Sequence, residues 1–159
     1  MIHLNEEKLS TEDLRRLGVE ALYMFGSVAR GTEGPYSDVD IAVLFNPHIL
    51  LNVQREHERE LAELIARAFN MPRVDIVNIA QSSNPVLLHA VVMKGVPLFL
   101  TNNRVRFSLE RQVRNAYEDT RYLRKRMHEN IQRHSKAGTL GKAPLSARET
   151  RYFKHHAHR

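Results

Sequence analysis

Asp38 and Asp40 stand one residue apart at the mouth of an apolar run, DVDIAVLF (38–45), and a third aspartate, Asp75, opens a second run, RVDIVNI (73–79). Side chains alternate faces along a strand, so Asp38 and Asp40 share a face with Ala42 and Leu44, about 6.6 Å apart along the chain. Carboxylates at that spacing can grip a divalent cation between them. Oxygen-only donors suit a hard ion such as Mg²⁺, which completes its shell with water and substrate phosphates. Asp75 makes a trio, enough for two ions about 3.5–4 Å apart, an arrangement that activates an attacking oxygen and stabilises a leaving one. Just upstream lies the small-residue turn GSVARG (26–31). Gly26 permits close backbone approach. Ser27 offers a hydroxyl and is expected to cap a short helix, Val28–Arg30, whose first N–H groups attract anions. Arg30 adds a cation for a phosphate group. The pattern therefore describes a pocket with phosphate on one side and its cation on the other.

These residues need a scaffold, and the spacing supplies one. Ser10, with Asp13 three positions on, starts a short helix that Gly18 ends. VEALYMF (19–25) reads as a buried strand, TEGPYS (32–37) as a loop, and 38–45 as a second strand closed by Asn46-Pro47. Residues 50–69 form a helix with Leu50, Val53, His57, Leu61, Leu64, Ile65 and Ala68 on one stripe, closed by Asn70-Met71-Pro72. A third strand covers 73–79. Asn84-Pro85 opens a helix that ends at Gly95, and VPLFL (96–100) is a fourth strand. One long helix is expected from about Arg104 to Arg133, its stripe being Leu109, Val113, Ala116, Thr120, Leu123, Met127 and Ile131. Residues 135–159 lose all pattern and read as a mobile tail. The expected architecture is α/β (α+β): a mixed sheet of about four strands flanked by helices, with a long C-terminal helix. It divides into a catalytic domain (1–101), a basic amphipathic helix (102–134) and a basic tail (135–159).

Composition narrows the setting. A chain of 159 residues predicts one core domain. The absence of cysteine excludes a disulfide scaffold, thiolate metal sites and cysteine nucleophiles. The charged N-terminal stretch has no signal-peptide core, and no run is long enough to span a membrane, so the cytoplasm is expected and a membrane partner is not. Residues 102–159 carry 15 Lys and Arg against 5 Asp and Glu, whereas 1–101 carry 9 against 13. A basic end suggests an acidic partner.

The segments GSVARG and SDVDIAVLF, followed by VDIVNI and VLLHAVVMKGVPLF, closely resemble the minimal nucleotidyltransferase family of the polymerase-β-like nucleotidyltransferase superfamily. The resemblance covers residues 10–101. It implies a nucleotidyltransferase fold and transfer of AMP from ATP, with Mg²⁺, two ions in the family scheme, as cofactor. It places the metal-binding and catalytic carboxylates on Asp38, Asp40 and Asp75, and phosphate binding on Gly26 and Ser27, with Arg30 added from the residue pattern. Small stand-alone members resemble antitoxins encoded beside HEPN ribonucleases. The implied acceptor is thus a tyrosine of a HEPN toxin, bound to this chain in a hetero-oligomer. Alternatives are an antitoxin acting by binding alone, through the 104–133 helix, and a transferase acting on a small molecule or RNA. Nucleic acid is not favoured as a partner, because few aromatics (Phe107, Tyr117, Tyr122) accompany the cations.

The remaining features read as surface. Arg121 and His128 have the Arg-x6-His spacing of the HEPN motif, but that site needs an all-helical domain. Tyr36, Tyr117, Tyr122 and Tyr152 are candidate self-modification sites that nothing singles out, Tyr23 belongs in the core, and the histidines of RYFKHHAHR are ordinary surface residues rather than a metal site.

Overall fold

A computed structural model describes residues 9–32, 38–71 and 73–139. Residues 33–37, which include Tyr36, and residues 140–159, which hold Tyr152 and the histidine-rich end, lie outside the described residues.

The elements in order are α1 (Thr11–Arg16), β1 (Val19–Phe25), α2 (Gly26–Ala29), β2 (Val39–Phe45), α3 (Leu51–Phe69), β3 (Val74–Asn78), a 3-10 turn (Ile79–Gln81), α4 (Pro85–Lys94), β4 (Val96–Leu100), α5 (Asn103–Asp119) and α6 (Arg121–Lys136). The four strands form one mixed sheet in the order β3-β2-β1-β4. β1 runs antiparallel to both β2 and β4, and β2 runs parallel to β3. The expected fold class is therefore the observed one.

Strand alternation sorts the core into two layers. Leu22, Met24, Val39, Ile41 and Val43 face α1, α2 and α3, meeting Leu14, Leu17, Val28, Leu61 and Ile65. Ala21, Tyr23 and Ala42 face α4 and α5, meeting Val91, Val92, Leu109 and Val113. The face that carries the aspartates is thus not bare. Past Ala42 it is covered by α4 and α5, and only its Asp38–Asp40 end stays open.

Local signals explain the ends of the elements. The Ser10 hydroxyl accepts from the Asp13 N–H at the start of α1. The Asn84 side chain accepts from the Val86 and Leu87 N–H groups, with Pro85 in the first turn of α4 where no donor is lost. Asn70 closes α3 in the left-handed conformation, φ 52°. His57, expected on the buried stripe, binds the Leu17 carbonyl through Nδ1 at 2.8 Å and so ties α3 to the end of α1.

Two expectations change. Leu50 is the cap residue of α3 and is 70% exposed, while the buried stripe uses Gln54, Leu61 and Ile65. Gln54 is tolerated there because it bonds the Ile49 carbonyl and the Asn78 amide. The single helix expected over 104–133 is two helices. Its regular run breaks at Thr120, where the backbone (φ −91°, ψ 3°) leaves the helical range. The compact first unit runs to Asp119, so α5 belongs with the sheet, and the second unit begins at Thr120. Within that second unit, α6 has no buried residue. Among the described residues, no helix is long and apolar enough to cross a membrane.

Candidate active site

The antiparallel β1–β2 pair brings the C-terminal end of β1 to the N-terminal end of β2, with Phe25 opposite Asp40. The parallel β2–β3 pair places Asp40 directly beside Asp75. Neighbours in register point to the same side of a sheet and lie about 4.8 Å apart. Asp38, immediately before β2, is two residues from Asp40 and falls on that side as well. All three aspartates therefore gather at one end of the sheet. Asp75 is exposed, and Asp38 and Asp40 are half-buried.

Electrostatics record this convergence. The Asp40 carboxyl titrates above the usual aspartate range, chiefly because burial disfavours its charge, then through repulsion from Asp75 and from Asp38, while Arg30 partly offsets the rise. Arg30 lies within electrostatic reach of Asp40, so the predicted cation and the predicted carboxylates share one locality.

Gly26 accounts for how the turn meets the carboxylates. It begins α2 with φ +76°, a conformation that side chains rarely adopt. A Cβ at this position would lie 1.9 Å from Asp40 Oδ2 and 2.8 Å from its Cγ. The expected reason for a glycine is close approach of a ligand. The nearer reason is that the Asp40 carboxylate occupies the space a side chain would need.

Ser27 departs from expectation in one respect. The short helix starts at Gly26 with Phe25 as its cap residue, without a side-chain cap bond, so Ser27 does not cap a helix over Val28–Arg30. It lies half-buried inside the turn, and its carbonyl accepts from the N–H groups of Arg30 and Thr32, which folds the segment back on itself. Arg30 caps the C-terminal end of α2 and is exposed.

Among the described residues, no three His, Cys, Asp or Glu side chains converge tightly enough to make a ready-formed cation cage. The donor chemistry nevertheless fits Mg²⁺, which needs only one or two protein carboxylates beside substrate oxygens. Two adjacent aspartates, one disfavoured as a lone anion by its neighbours, meet that need. A separate cavity of about 520 Å³ lies at the other end of the sheet, lined by Leu44, Ile79 and the Val105–Leu109–Val113 side of α5. It includes none of these aspartates and is mainly apolar, with Glu20, Arg104 and Gln112 also on its lining.

What sequence reasoning missed is the fit of Gly26 around Asp40. A glycine directly after a buried strand was the available signal, but which side chain fills its missing Cβ depends on the β1–β2 register.

Comparison with known proteins agrees with this geometry. The family model described as polymerase beta, nucleotidyltransferase, matches residues 7–104. The protein adenylyltransferase MntA of Shewanella oneidensis is 38% identical over 104 residues, which is 64% of this chain and 69% of that protein. A chain from a crystal structure of a toxin–antitoxin with AMP-PNP superposes with a TM-score of 0.63 at 27% identity, over 81% of this chain and 99% of that one. A chain from the tri-AMPylated Shewanella oneidensis HEPN toxin in complex with its MNT antitoxin superposes with a TM-score of 0.58 at 25% identity, over 83% and 99%.

Proposed function

Since this chain belongs to the polymerase-β nucleotidyltransferase family, we propose that it moves AMP from ATP to a tyrosine hydroxyl of a HEPN-type toxin and silences the toxin by that modification. The observation that carries this reading is the side-by-side pairing of Asp40 and Asp75 at the sheet end where the Gly26 turn closes over Asp40. The similarity to an adenylyltransferase, and to chains from toxin–antitoxin structures that contain an ATP analogue or an AMPylated toxin, supports the donor and the partner.

In this proposal Asp38, Asp40 and Asp75 are the residues that would hold the Mg²⁺ accompanying ATP. Bound Mg²⁺ would neutralise triphosphate charge and acidify an acceptor hydroxyl. Gly26 and Ser27 receive the β- and γ-phosphates on backbone N–H groups and the Ser27 hydroxyl. Arg30 offers a guanidinium to the same oxygens and, when the pocket is empty, counters the charge of Asp40. Asp75, exposed at the rim, faces the acceptor, orients its hydroxyl and takes its proton as the oxygen attacks the α-phosphorus in line, the bond from that phosphorus to the β-phosphate oxygen breaking so that pyrophosphate leaves. The half-buried setting of Asp40 strengthens its hold on a cation by limiting competition from water. The reaction is assigned to the cytoplasm, where ATP is available.

The test is to incubate the chain with ATP, Mg²⁺ and the co-encoded HEPN partner and to weigh the partner intact. A mass gain of one or more AMP units is expected, and it should vanish with Asp38→Ala, Asp40→Ala or Asp75→Ala. Full transfer by Asp40→Ala would refute the residue assignment. Neutralisation of the toxin by an Asp38→Ala/Asp40→Ala double variant would replace the enzymatic reading with one of occlusion.

A further inference from the structure

The stripe Leu109, Val113, Ala116, Thr120, Leu123, Met127 and Ile131 continues at three- and four-residue spacing through both C-terminal helices. Its early members Leu109 and Val113 are buried against the sheet, but its late members are not. Leu123 and Met127 are each 66% exposed, Ile131 is 46% exposed, and neighbouring Tyr122 is 67% exposed. Exposed aliphatic side chains at this spacing form the seam that a second helix covers in a coiled coil.

We propose that this face of α6 docks an amphipathic helix with acidic flanks belonging to a different protein. Charge selects the occupant. α6 carries six Lys and Arg against a single acidic residue, Glu129. Arg126 and Arg133 fall at the flanking positions of the seam, where a partner's glutamates would meet them. A second copy would set six cations against six. RNA would gain from the cations but nothing from Leu123, Met127 and Ile131, and Tyr122 is the one Phe, Tyr or Trp in this helix. As the surface that retains the acceptor protein, this face rests on the transfer reaction proposed above, but its binding chemistry does not.

The experiment uses the full chain and fluorescence anisotropy. The probes are a 28-residue peptide with Leu at the seam positions and Glu at the flanks, the same peptide with Lys at the flanks, and a 20-nucleotide oligouridine. The Glu-flanked peptide should bind, and more weakly at high salt. Leu123→Asp/Met127→Asp should weaken it at least about tenfold, which is 1.4 kcal/mol per decade. Arg126→Glu/Arg133→Glu should weaken it as much and gain binding to the Lys-flanked peptide. Both variants should keep the wild-type melting curve, because the altered positions are exposed. Absence of peptide binding, equal binding by the Asp variant, or wild-type dimers that Leu123→Asp dissolves would overturn the proposal. So would oligouridine binding that the Asp variant abolishes. None of these readouts involves AMP transfer. Loss of transfer with intact peptide binding would remove the proposed function alone, and the converse would remove the docking surface alone.

Discussion

Asp40 shows how a single side chain ties backbone conformation to chemistry. Its carboxylate fills the space left by the absent Cβ of Gly26 and is pressed upward in pKa by burial, Asp75 and Asp38. Gly26→Ala must abandon φ +76° or displace that carboxylate. It should cost about 1–3 kcal/mol of stability and reduce transfer about a hundredfold, as expected for a misplacement of about 1 Å. Denaturant melts and initial rates measure both, and a variant with wild-type rate and stability would contradict the packing argument. The pH behaviour follows from the direction of the Asp40 shift. Its native pKa lies above the unfolded value, so the native state holds this proton more tightly. Native stability therefore falls as pH rises from the unfolded value through the native one, and it stays lowered above. Asp40→Asn cannot ionise. In chelator it should melt above the wild type at neutral pH, with the gap closing on acidification to below the ordinary aspartate range. Mg²⁺ should then raise the wild-type Tm and leave Asp40→Asn unmoved, because a ligand stabilises only a state that binds it. A gap of equal size at every pH would rule out Asp40 as its source. The acidic pair itself was readable from residue types and a period of two. The neighbour that crowds Gly26 was not, because it is fixed by pairing between strands.

At the level of elements, β1 and β4 lie where their apolar runs end in glycine or polar residues, and α4 begins where Asn84-Pro85 requires. These ends were readable because a local bond or a missing donor decides them. The Asn84 cap, with bonds of 3.0 and 3.1 Å to two N–H groups, makes a direct check. Asn84→Ala should lower stability by about 1 kcal/mol and the Tm by a few degrees, with AMP transfer unchanged because α4 begins far from the acidic end. An unaltered Tm would mean that water satisfies those donors equally well. The misread elements depend on distant packing. Leu50 has apolar character but caps α3 outside the core, and buried Gln54 takes a place on the stripe because its Nε2 donates to the Ile49 carbonyl and its Oε1 accepts from the Asn78 amide. The break at Thr120 was hidden for a similar reason: the three- and four-residue spacing passes through it without interruption, and no glycine or proline marks it.

For the whole molecule, the division of the chain matters more than its length. A boundary at residue 101 is expected from the change in charge and from where the family resemblance stops, yet the compact first unit extends to Asp119. Charge reports which partner a segment prefers, whereas burial reports which body it belongs to, and along α5 the two disagree. That helix carries four Arg and three carboxylates, lies in the basic part of the chain, and still contributes Leu109 and Val113, 5% and 3% exposed, to the layer that covers Tyr23 and Ala42. Two truncations separate the alternatives. A chain ending at Asp119 loses only α6, which has no buried residue of its own, and the residues C-terminal to it. It should melt cooperatively within a few degrees of the full chain and retain ATP-analogue binding. A chain ending at Thr101 keeps α4 but strips from the second face of the sheet the part that α5 covers. Loss of two buried aliphatic residues, each worth about 2–5 kcal/mol, consumes much of the roughly 5–15 kcal/mol that holds a domain of this size together. It should bind hydrophobic dyes, lose its cooperative transition and elute as aggregate. Circular dichroism melts with size-exclusion chromatography decide the matter. A well-folded 1–101 fragment would show that α5 decorates the sheet rather than completing it.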